Sequence, residues 1–429
     1  MSLMTHEEES LILAALRRAY NQSPFWRNRF LEQGVRESDF VPGFAFASMP
    51  LISKKDLLED QALHPPFGQL LAVDPRSIRR IHKTSGTTAT PFFIALTEVD
   101  IADTYIASHR AFKAAGMQPG ERVVHCLNFN MWSGGVTDYM PIEMMGATGI
   151  PFGVGNTAGL LRTIKALEIN AISATPSYMY TLRDRCRDEL GIDPRDLGLR
   201  RGYFGGEGLL QVPGVREEIE QCFGMTAIDA NYGMSEASSI IAGESTERNG
   251  LVNHAYGLLY TELVDPAGKP IPIETGARGE LVFSSLRREG QPLFRYRTND
   301  LAEIVWADAG EDGLLRMRFR IIGRTDEMLV IKGVNFFPQS LLSIVPEFAP
   351  RMEPFYSVIR PGEGKVERLK VVFETSLPEG SERESLEKAL EHRVSEVFQI
   401  GVSITWLQPG KLPREGNKAR FLINELPKT

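Results

Sequence analysis

Cysteine is scarce in this chain. Its 429 residues hold three, Cys126, Cys186 and Cys222, and no two of them form a CxxC pair. That excludes a disulfide framework and fits a reducing compartment. Also missing is any apolar run near the roughly 18 residues of a membrane-spanning helix. Positive charge is not in excess. The 48 Lys and Arg stand against 55 Asp and Glu, a net charge of -7, which argues against a coat for nucleic-acid phosphates. The opening segment MSLMTHEEES is acidic where a secretory leader needs a basic flank, so a cytoplasmic protein with neither a membrane nor a nucleic-acid partner is expected. Repeats and low-complexity linkers are absent as well. What is present is ordinary globular material, 42% hydrophobic and 24% charged, long enough for two unequal domains or three.

Patterning along the chain predicts an α/β fold. Glu7 to Glu9 open a helix whose apolar face is Leu11, Ile12, Ala15, Leu16 and Tyr20, and Ser23-Pro24 closes it. Strands are expected at 122–127, 171–174 and 225–230, with helices at 160–168 and 177–190. This alternation predicts a largely parallel sheet with helices on both faces. After about Leu258 the texture changes to strands at 258–265, 279–284, 301–306 and 314–322, an antiparallel or barrel-like region. Beyond Gly323 the pattern resets. Strands at 356–360, 368–374 and 402–407 with a helix at 384–398 predict a small α+β domain of roughly a hundred residues. A short hinge is expected at Gly323-Arg324-Thr325-Asp326, dividing the chain into 1–325 and 326–429.

Five stretches carry chemistry. Thr84-Ser85-Gly86-Thr87-Thr88-Ala89-Thr90-Pro91 offers hydroxyls and free N–H groups around a flexible glycine, suited to an anion. It lacks the Walker lysine, and a solvated turn is the alternative. Asn231-Tyr232-Gly233-Met234-Ser235-Glu236 is expected to follow a strand, where α/β folds place ligands. Its aromatic face suits a base and its carboxylate a divalent ion; the alternative is a loop in which Ser235 caps a helix. Asp300, expected just before a strand, has two acceptor oxygens for a ribose diol, or it is a turn residue. Gly323 to Gly333 puts two glycines and fixed charges at the domain join. Lys411 to Arg420 is a basic Pro/Gly turn that is either functional or a frayed tail.

Taken in order, these stretches resemble the adenylate-forming ligases, and most closely the phenylacetate–CoA ligase branch. The resemblance runs from Ser23-Pro24-Phe25-Trp26 and 50–57 through Thr175-Pro176-Ser177-Tyr178 and Gly205-Gly206-Glu207 to Lys418. It implies a large N-terminal adenylation domain and a small mobile C-terminal one. It also implies ATP, Mg²⁺ and coenzyme A as cofactor and co-substrates, and a homodimer. Ser85, Gly86, Thr87 and Thr88 would cover the ATP phosphates, and Gly206 and Glu207 would line the adenine site. Within the segment Asn231, Tyr232, Gly233 and Met234, Tyr232 would stack on adenine. Ser235 would meet the α-phosphate, and Glu236 would hold Mg²⁺. Asp300 would take the ribose hydroxyls, Arg324 would contact the nucleotide, and Asp326 would be the hinge. Lys418 would supply the cation for adenylation, and Lys332 and Gly333 would help form the pantetheine channel.

Two departures from the family pattern stand out. The family's phosphate loop ends in Gly-Lys-Pro, whereas Ala89-Thr90-Pro91 stands here. Some relatives carry a Cys/His cluster resembling a zinc site, whereas Glu244-Ser245-Thr246 has no cysteine and His254 stands alone. A hydrogen-bonded structural histidine and no structural zinc are therefore expected. The acyl pocket is expected to involve Asn128 to Gly135 together with Gly205. Phe129 and Trp132 would wall a flat ring, and Gly134 and Gly135 would leave room for it, unless both aromatics are ordinary core. The polarity of His125, Asn128 and Asn130 exceeds what phenylacetate needs and suggests an amino- or hydroxybenzoate, anthranilate being one candidate. The same adenylating residues would also serve an enzyme that loads a carrier protein or an amine, and a non-catalytic nucleotide-binding protein is the third reading.

Overall fold

A computed structural model of the chain describes residues 4–84, 91–211, 213–327, 329–331, 334–348, 351–353, 355–361, 368–412, 414–415, 418–419 and 421–424. The chain divides into two compact units. The first comprises Met1–Ala174, Gly198–Gly206 and Ile228–Ile321, and the second Thr175–Leu197, Glu207–Ala227 and Ile322–Thr429.

The first unit opens with α1 (His6–Gln22). Its start is fixed by the Thr5 hydroxyl, which accepts from the Glu8 N–H, while the Glu8 carboxylate reaches back to the Thr5 N–H. The face buried by α1 is Ile12, Leu13, Ala15, Leu16 and Ala19, close to the predicted stripe. Then follow α2 (Pro24–Glu32) and α3 (Lys54–Leu63). The Trp26 indole N–H donates to the Pro292 carbonyl at 2.8 Å and its ring packs edge-on to Phe294, which fastens the N-terminal helices onto the sheet. A hairpin follows of β1 (Arg80–Lys83) and β2 (Phe93–Leu96), and then α4 (Glu98–Ala114), α5 (Ser133–Thr137), α6 (Met140–Met144) and α7 (Thr157–Ala166).

The core of this unit is one sheet of twelve strands. In chain order these are β3 (Arg122–His125), β4 (Thr148–Pro151), β5 (Ala171–Ala174), β6 (Arg201–Gly205), β7 (Thr226–Met234), β8 (Ser238–Glu244), β9 (Leu251–Asn253), β10 (Leu259–Val264), β11 (Pro270–Ile271), β12 (Arg278–Ser285), β13 (Tyr296–Ala309) and β14 (Leu315–Arg324). Their order across the sheet is β11-β10-β12-β13-β14-β9-β8-β7-β6-β5-β3-β4. Strands β4, β3, β5 and β6 pair in parallel. Strand β8 pairs antiparallel with β7 and β9, β9 with β14, β10 with β11 and β12, and β12 with β13. The α/β class is as predicted, and the antiparallel strands join the parallel ones edge to edge.

Two boundaries differ from expectation, and both matter for the site. Strand β7 does not stop at Ala230 but runs through Met234, because β8 folds back on it with Tyr232 opposite Ala242 and Met234 opposite Ser238. Ser235 accordingly sits in a β-turn and caps no helix. Asp300 lies inside β13. There the register with β12 shifts, Val282 facing Arg297 while Glu280 faces Leu301, so Thr298, Asn299 and Asp300 bulge opposite Leu281.

In the second unit, α8 (Tyr178–Leu190) packs against α9 (Val215–Phe223). The chain continues with a hairpin of β15 (Leu329–Ile331) and β16 (Val334–Phe336), then β17 (Tyr356–Ile359), β18 (Arg368–Glu374), α10 (Ser381–Phe398) and β19 (Gly401–Leu407). Last come β20 (Arg414–Glu415), β21 (Lys418–Ala419) and β22 (Leu422–Ile423). The sheet order is β19-β18-β17-β22, and α10 lays Leu386, Leu390 and Val394, spaced four apart, toward the core. The predicted α+β elements are all found. Arg183 on α8 pairs with Glu218 at 3.4 Å and with Glu353 at 3.8 Å, and Tyr180 meets Phe355 edge-on.

Candidate active site

The second half of β7 and the turn that follows it gather most of the candidate residues of the first unit. Gly233 makes the close strand return feasible, since a Cβ there would lie 2.3 Å from the Ser239 carbonyl oxygen. Tyr232 is half-buried, its ring edge-on to Phe319 and its phenol donating to Asp300 Oδ2 at 2.7 Å. The β13 bulge holds Asp300 in place: its backbone N–H donates to Thr298 Oγ1, which in turn donates to the Leu281 carbonyl.

Beyond Tyr232, the Ser235 hydroxyl lies 2.8 Å from the Ser133 hydroxyl at the start of α5. Glu236 is buried, and the ammonium of Lys54, at the start of α3, stands 3.2 Å from its Oε1. Arg288, also buried, donates to the carbonyls of Glu236 and Ala237 at 2.6 and 2.7 Å and so holds the turn from below. Burial lowers the pKa of that guanidinium from its ordinary value. Neither Lys54 nor Arg288 was singled out from the sequence. Lys54 lies 182 positions before Glu236 and Arg288 52 positions after it, and only folding brings them to one turn.

The Asn128-to-Gly135 segment is pinned from the β1 side. The Met131 carbonyl accepts the Lys83 N–H at 3.0 Å and lies 3.2 Å from His82 Nδ1. Met131 itself has a φ of 59°, a strained conformation for a side chain with a Cβ. Phe129 and Tyr139 pack edge-on around His125. The room left by the glycines is already filled: a Cβ on Gly134 would stand 2.6 Å from the Trp132 ring, and one on Gly135 would stand 2.3 Å from the Asn128 carbonyl oxygen. These glycines therefore let the segment fold tightly on itself. They do not open space for a substrate ring.

The polarity expected of this segment is also spent differently. His125 is fully buried, with Nδ1 at 3.1 Å from Ser173 Oγ, and burial pulls its pKa down to about 4. The Asn128 side chain accepts the Asn130 N–H. Missing from the sequence reading was Asp138, just past α5, which is buried and accepts from Asn231 Nδ2 at 2.7 Å. Asn231 in turn lies against Gly205, where a Cβ would come within 2.9 Å of the Asn231 Cβ. His254 is buried with Nε2 at 3.2 Å from the Gly243 carbonyl, and burial lowers its pKa to about 4 as well.

The remaining candidates belong elsewhere. Gly206 closes its segment of the first unit with a φ of 84°. In the second unit, Glu207 Oε1 accepts the Ser177 N–H at 2.6 Å, and the Arg324 guanidinium closes on both oxygens of Asp326 at 3.0 Å. The Lys418 backbone pairs with Glu415 in β20–β21. Its side chain lies outside the described residues, as do Ser85, Gly86, Thr87, Thr88, Lys332 and Gly333. Among the described residues no group of three or more His, Cys, Asp or Glu comes together to hold a metal, and no helix is long and apolar enough to cross a membrane.

A half-buried aromatic ring beside a carboxylate, two hydroxyls and a second, buried carboxylate is chemistry suited to a nucleotide. The AMP-binding enzyme family matches residues 44–286, and its C-terminal domain matches 333–425. The chain belongs to the AMP-binding enzyme family. It is an AMP-forming acid–thiol ligase by class, as the resemblance to the adenylate-forming ligases implies. Among its relatives, the phenylacetate–coenzyme A ligase of Escherichia coli (strain K12) is 32% identical, covering 94% of this chain and 91% of the relative. The enzyme of the same name from Aromatoleum evansii is 31% identical, covering 96% and 92%. Among solved structures, a 2-hydroxyisobutyryl-CoA ligase in its postadenylation state with 2-HIB-AMP superposes with a TM-score of 0.85 at 27% identity, covering 99% of this chain and 91% of that one.

Proposed function

We propose that this AMP-binding enzyme is an ATP-dependent aryl-acid–CoA ligase. The observation that carries the reading is the juxtaposition of Tyr232, Asp300, Ser235 and Glu236 within one unit. Tyr232 stacks on the adenine, and its phenol fixes one oxygen of Asp300 so that the carboxylate faces the ribose hydroxyls. Gly206 and Glu207 line the base, Arg324 contacts the nucleotide, and Ser235 donates to the α-phosphate. The phosphate loop of Ser85, Gly86, Thr87 and Thr88 covers the outer phosphates with backbone N–H groups, since no lysine follows it.

Glu236 suits a hard cation, being a buried carboxylate that already attracts one positive charge, that of Lys54. A single protein carboxylate fits Mg²⁺, which takes its other ligands from phosphates and water. When bound, Mg²⁺ would neutralise phosphate charge. Lys418 brings a second cation to the phosphoryl oxygens as the substrate carboxylate bonds to the α-phosphorus and the bond to pyrophosphate breaks. In the second half-reaction the C-terminal domain, 326–429, turns about Asp326. Lys332 and Gly333 then guide the pantetheine arm, the CoA sulfur bonds to the acyl carbon, and AMP leaves with the electron pair of the broken bond. No protein side chain is the nucleophile.

The substrate is an aryl acid, phenylacetate or a substituted benzoate; the phenylacetate–CoA ligase relatives support the aryl class. The protein functions as a homodimer, which light scattering tests. The enzymatic test is acid-dependent pyrophosphate release with ATP and Mg²⁺, with and without CoA. Multiple turnover only with CoA, lost in Lys418→Ala, is the expected result. Release stalled near one equivalent despite CoA would mean that a carrier-protein thiol or an amine takes the acyl group. No release with any acid would leave a nucleotide-binding protein.

A further inference from the structure

The strand that leaves the phosphate-loop motif is held by two side-chain amides in place of a neighbouring strand. β2 belongs to a sheet of two strands, and Thr84, which follows β1, donates its N–H to the Phe92 carbonyl at 3.0 Å. The opposite edge of β2 has no strand beside it among the described residues, and buried backbone groups left there without partners would be costly. Gln61, near the end of α3, meets two of them: its Nε2 donates to the Pro91 carbonyl at 2.8 Å, and its Oε1 accepts the Phe93 N–H at 2.7 Å. Gln291 meets the next two. Its Oε1 accepts the Ala95 N–H at 2.8 Å, and its Nε2 donates to the carbonyls of Phe93 at 3.3 Å and Phe67 at 3.0 Å. Both glutamines are buried, and an amide so placed satisfies its partners in one orientation only.

The segment that carries Gln291 also carries Arg288, whose guanidinium grips the carbonyls of Glu236 and Ala237. Between the two the chain is clamped. Asp100 accepts the N–H groups of Glu289 and Gly290 at 2.7 and 3.0 Å, and a Cβ on Gly290 would stand 2.5 Å from the Ala95 carbonyl oxygen. Residues 288–291 therefore form a short bridge from β2 to the turn of Ser235 and Glu236.

We propose that Gln61 and Gln291 are positioning residues of the adenylation step, which fix the exit of the phosphate loop against the Ser235–Glu236 turn. The proposal rests on the ligase reading above. In that reading the loop covers the outer phosphates of ATP while the turn meets the α-phosphate, so one triphosphate must satisfy both at once. Pro91 ends the loop motif, and Gln61 fixes its carbonyl. Gln291 ties the same strand to the bridge that ends on the turn. Losing either amide leaves the turn, Tyr232 and Asp300 with their own contacts. What is lost is the alignment of loop with turn, which ATP needs and AMP, carrying only the α-phosphate, does not. Groups held in place beforehand matter most in the step that moves negative charge onto the departing pyrophosphate. Neither glutamine needs to touch the nucleotide; both act through the backbone of residues 91–95.

The test compares the affinity for ATP with that for AMP, both titrated calorimetrically with Mg²⁺ and no acid, in the wild type, Gln61→Met, Gln291→Met and Gln61→Glu. The Met variants remove donor and acceptor at similar length. Gln61→Glu keeps the acceptor for Phe93 and deletes only the donor to Pro91. In each, Kd for ATP should rise about tenfold while Kd for AMP stays within about twofold. Single-turnover pyrophosphate release should slow by a similar factor. Transfer of the acyl group from the enzyme-bound adenylate to CoA, in which no outer phosphate remains, should keep its rate. Tyr203→Phe is the control for lost stability alone: it deletes the bond of a buried phenol to Glu121 on another strand, and should lower the melting temperature without moving the ATP-to-AMP ratio. Should the Met variants not fold, the isosteric Gln61→Glu still decides. Affinities for ATP and AMP that fall together, or a ratio that stays put in the glutamine variants, would overturn the proposal and leave the ligase intact, the amides then serving the strand edge alone. A ratio that shifts as far in Tyr203→Phe would overturn it too. A wild type that binds both nucleotides but releases no pyrophosphate with any acid would remove the ligase reading, and the adenylation role of the glutamines with it.

Discussion

Tyr232 and Asp300 stand 68 positions apart, on strands separated by three others in the main sheet, yet the Tyr232 phenol donates to Asp300 Oδ2 at 2.7 Å. The register shift in β13 makes room for the bulge that carries Asp300, whose N–H is held by Thr298, and the Tyr232 contact joins the two strands there. An aromatic face and an oriented carboxylate thus form one unit.

Removing that phenol should loosen the carboxylate more than the ring. Tyr232→Phe is expected to raise KM for ATP about tenfold, the cost of roughly 1.5 kcal/mol for a hydrogen bond to a charged group. KM for the acid should stay within a factor of two or so, because the ring face is kept. Initial-rate kinetics with both substrates varied decide this, and equal rises in both KM values would show that the phenol orders the whole site.

The Lys54–Glu236 pair separates a stability role from a functional one. Lys54→Met leaves a buried carboxylate without its cation, and thermal unfolding should show a loss of about 1–3 kcal/mol, less than for a fully enclosed pair because Lys54 is partly exposed. Glu236→Gln removes the charge and should cost little stability, while the Mg²⁺ concentration for half-maximal adenylation rises severalfold. An unchanged Mg²⁺ titration in Glu236→Gln would take the metal role away from this residue.

Gly233 answers to backbone sterics alone. With a Cβ at 2.3 Å from the Ser239 carbonyl, Gly233→Ala must push β7 and β8 apart. A destabilisation of about 2–4 kcal/mol is expected, together with weaker nucleotide binding, because Tyr232 is the preceding residue. Gly276→Ala provides the contrast: nothing lies within 4 Å of a Cβ there, and the cost is confined to its φ of 86°. Similar melting temperatures for the two variants would contradict the steric account.

Two buried histidines give the fold an acid-sensitive flank. Burial lowers both His125 and His254 to about 4 from an ordinary 6.5. The unfolded chain therefore takes up these protons first as pH falls, and stability is complete above about pH 6.5 and declines toward pH 4, by at most about 3 kcal/mol per histidine. Melting temperature against pH for the wild type, His125→Gln and His254→Gln checks this. The variants should show shallower slopes between pH 6.5 and 4, and slopes matching the wild type would remove burial as the cause.

Local patterning carried the secondary structure well. The strand at Ala171–Ala174 was read to the residue, and α8 and α10 were read to within three residues, since apolar period and caps are properties of short windows. Where the reading failed, contacts from outside the short window were responsible, or the packing of the segment on itself. The expected end of β7 at Ala230 gave way because Ser238–Glu244 returns to pair with it, which nothing within 225–236 announces. Gly134 and Gly135 read as room for a ring, and the structure fills that room with Trp132 and the Asn128 carbonyl.

The sequence by itself determined the family and the α/β class and supplied the candidate nucleotide-facing residues, because those reside in contiguous motifs whose chemistry and order can be read along one line. Only the tertiary structure decided how they are held. Lys54 against Glu236, Arg288 beneath the turn, Tyr232 on Asp300 and Asp138 on Asn231 join positions dozens to hundreds of residues apart. Such pairings follow from strand order and register, which depend on the packing of the whole sheet and leave no trace in any short window.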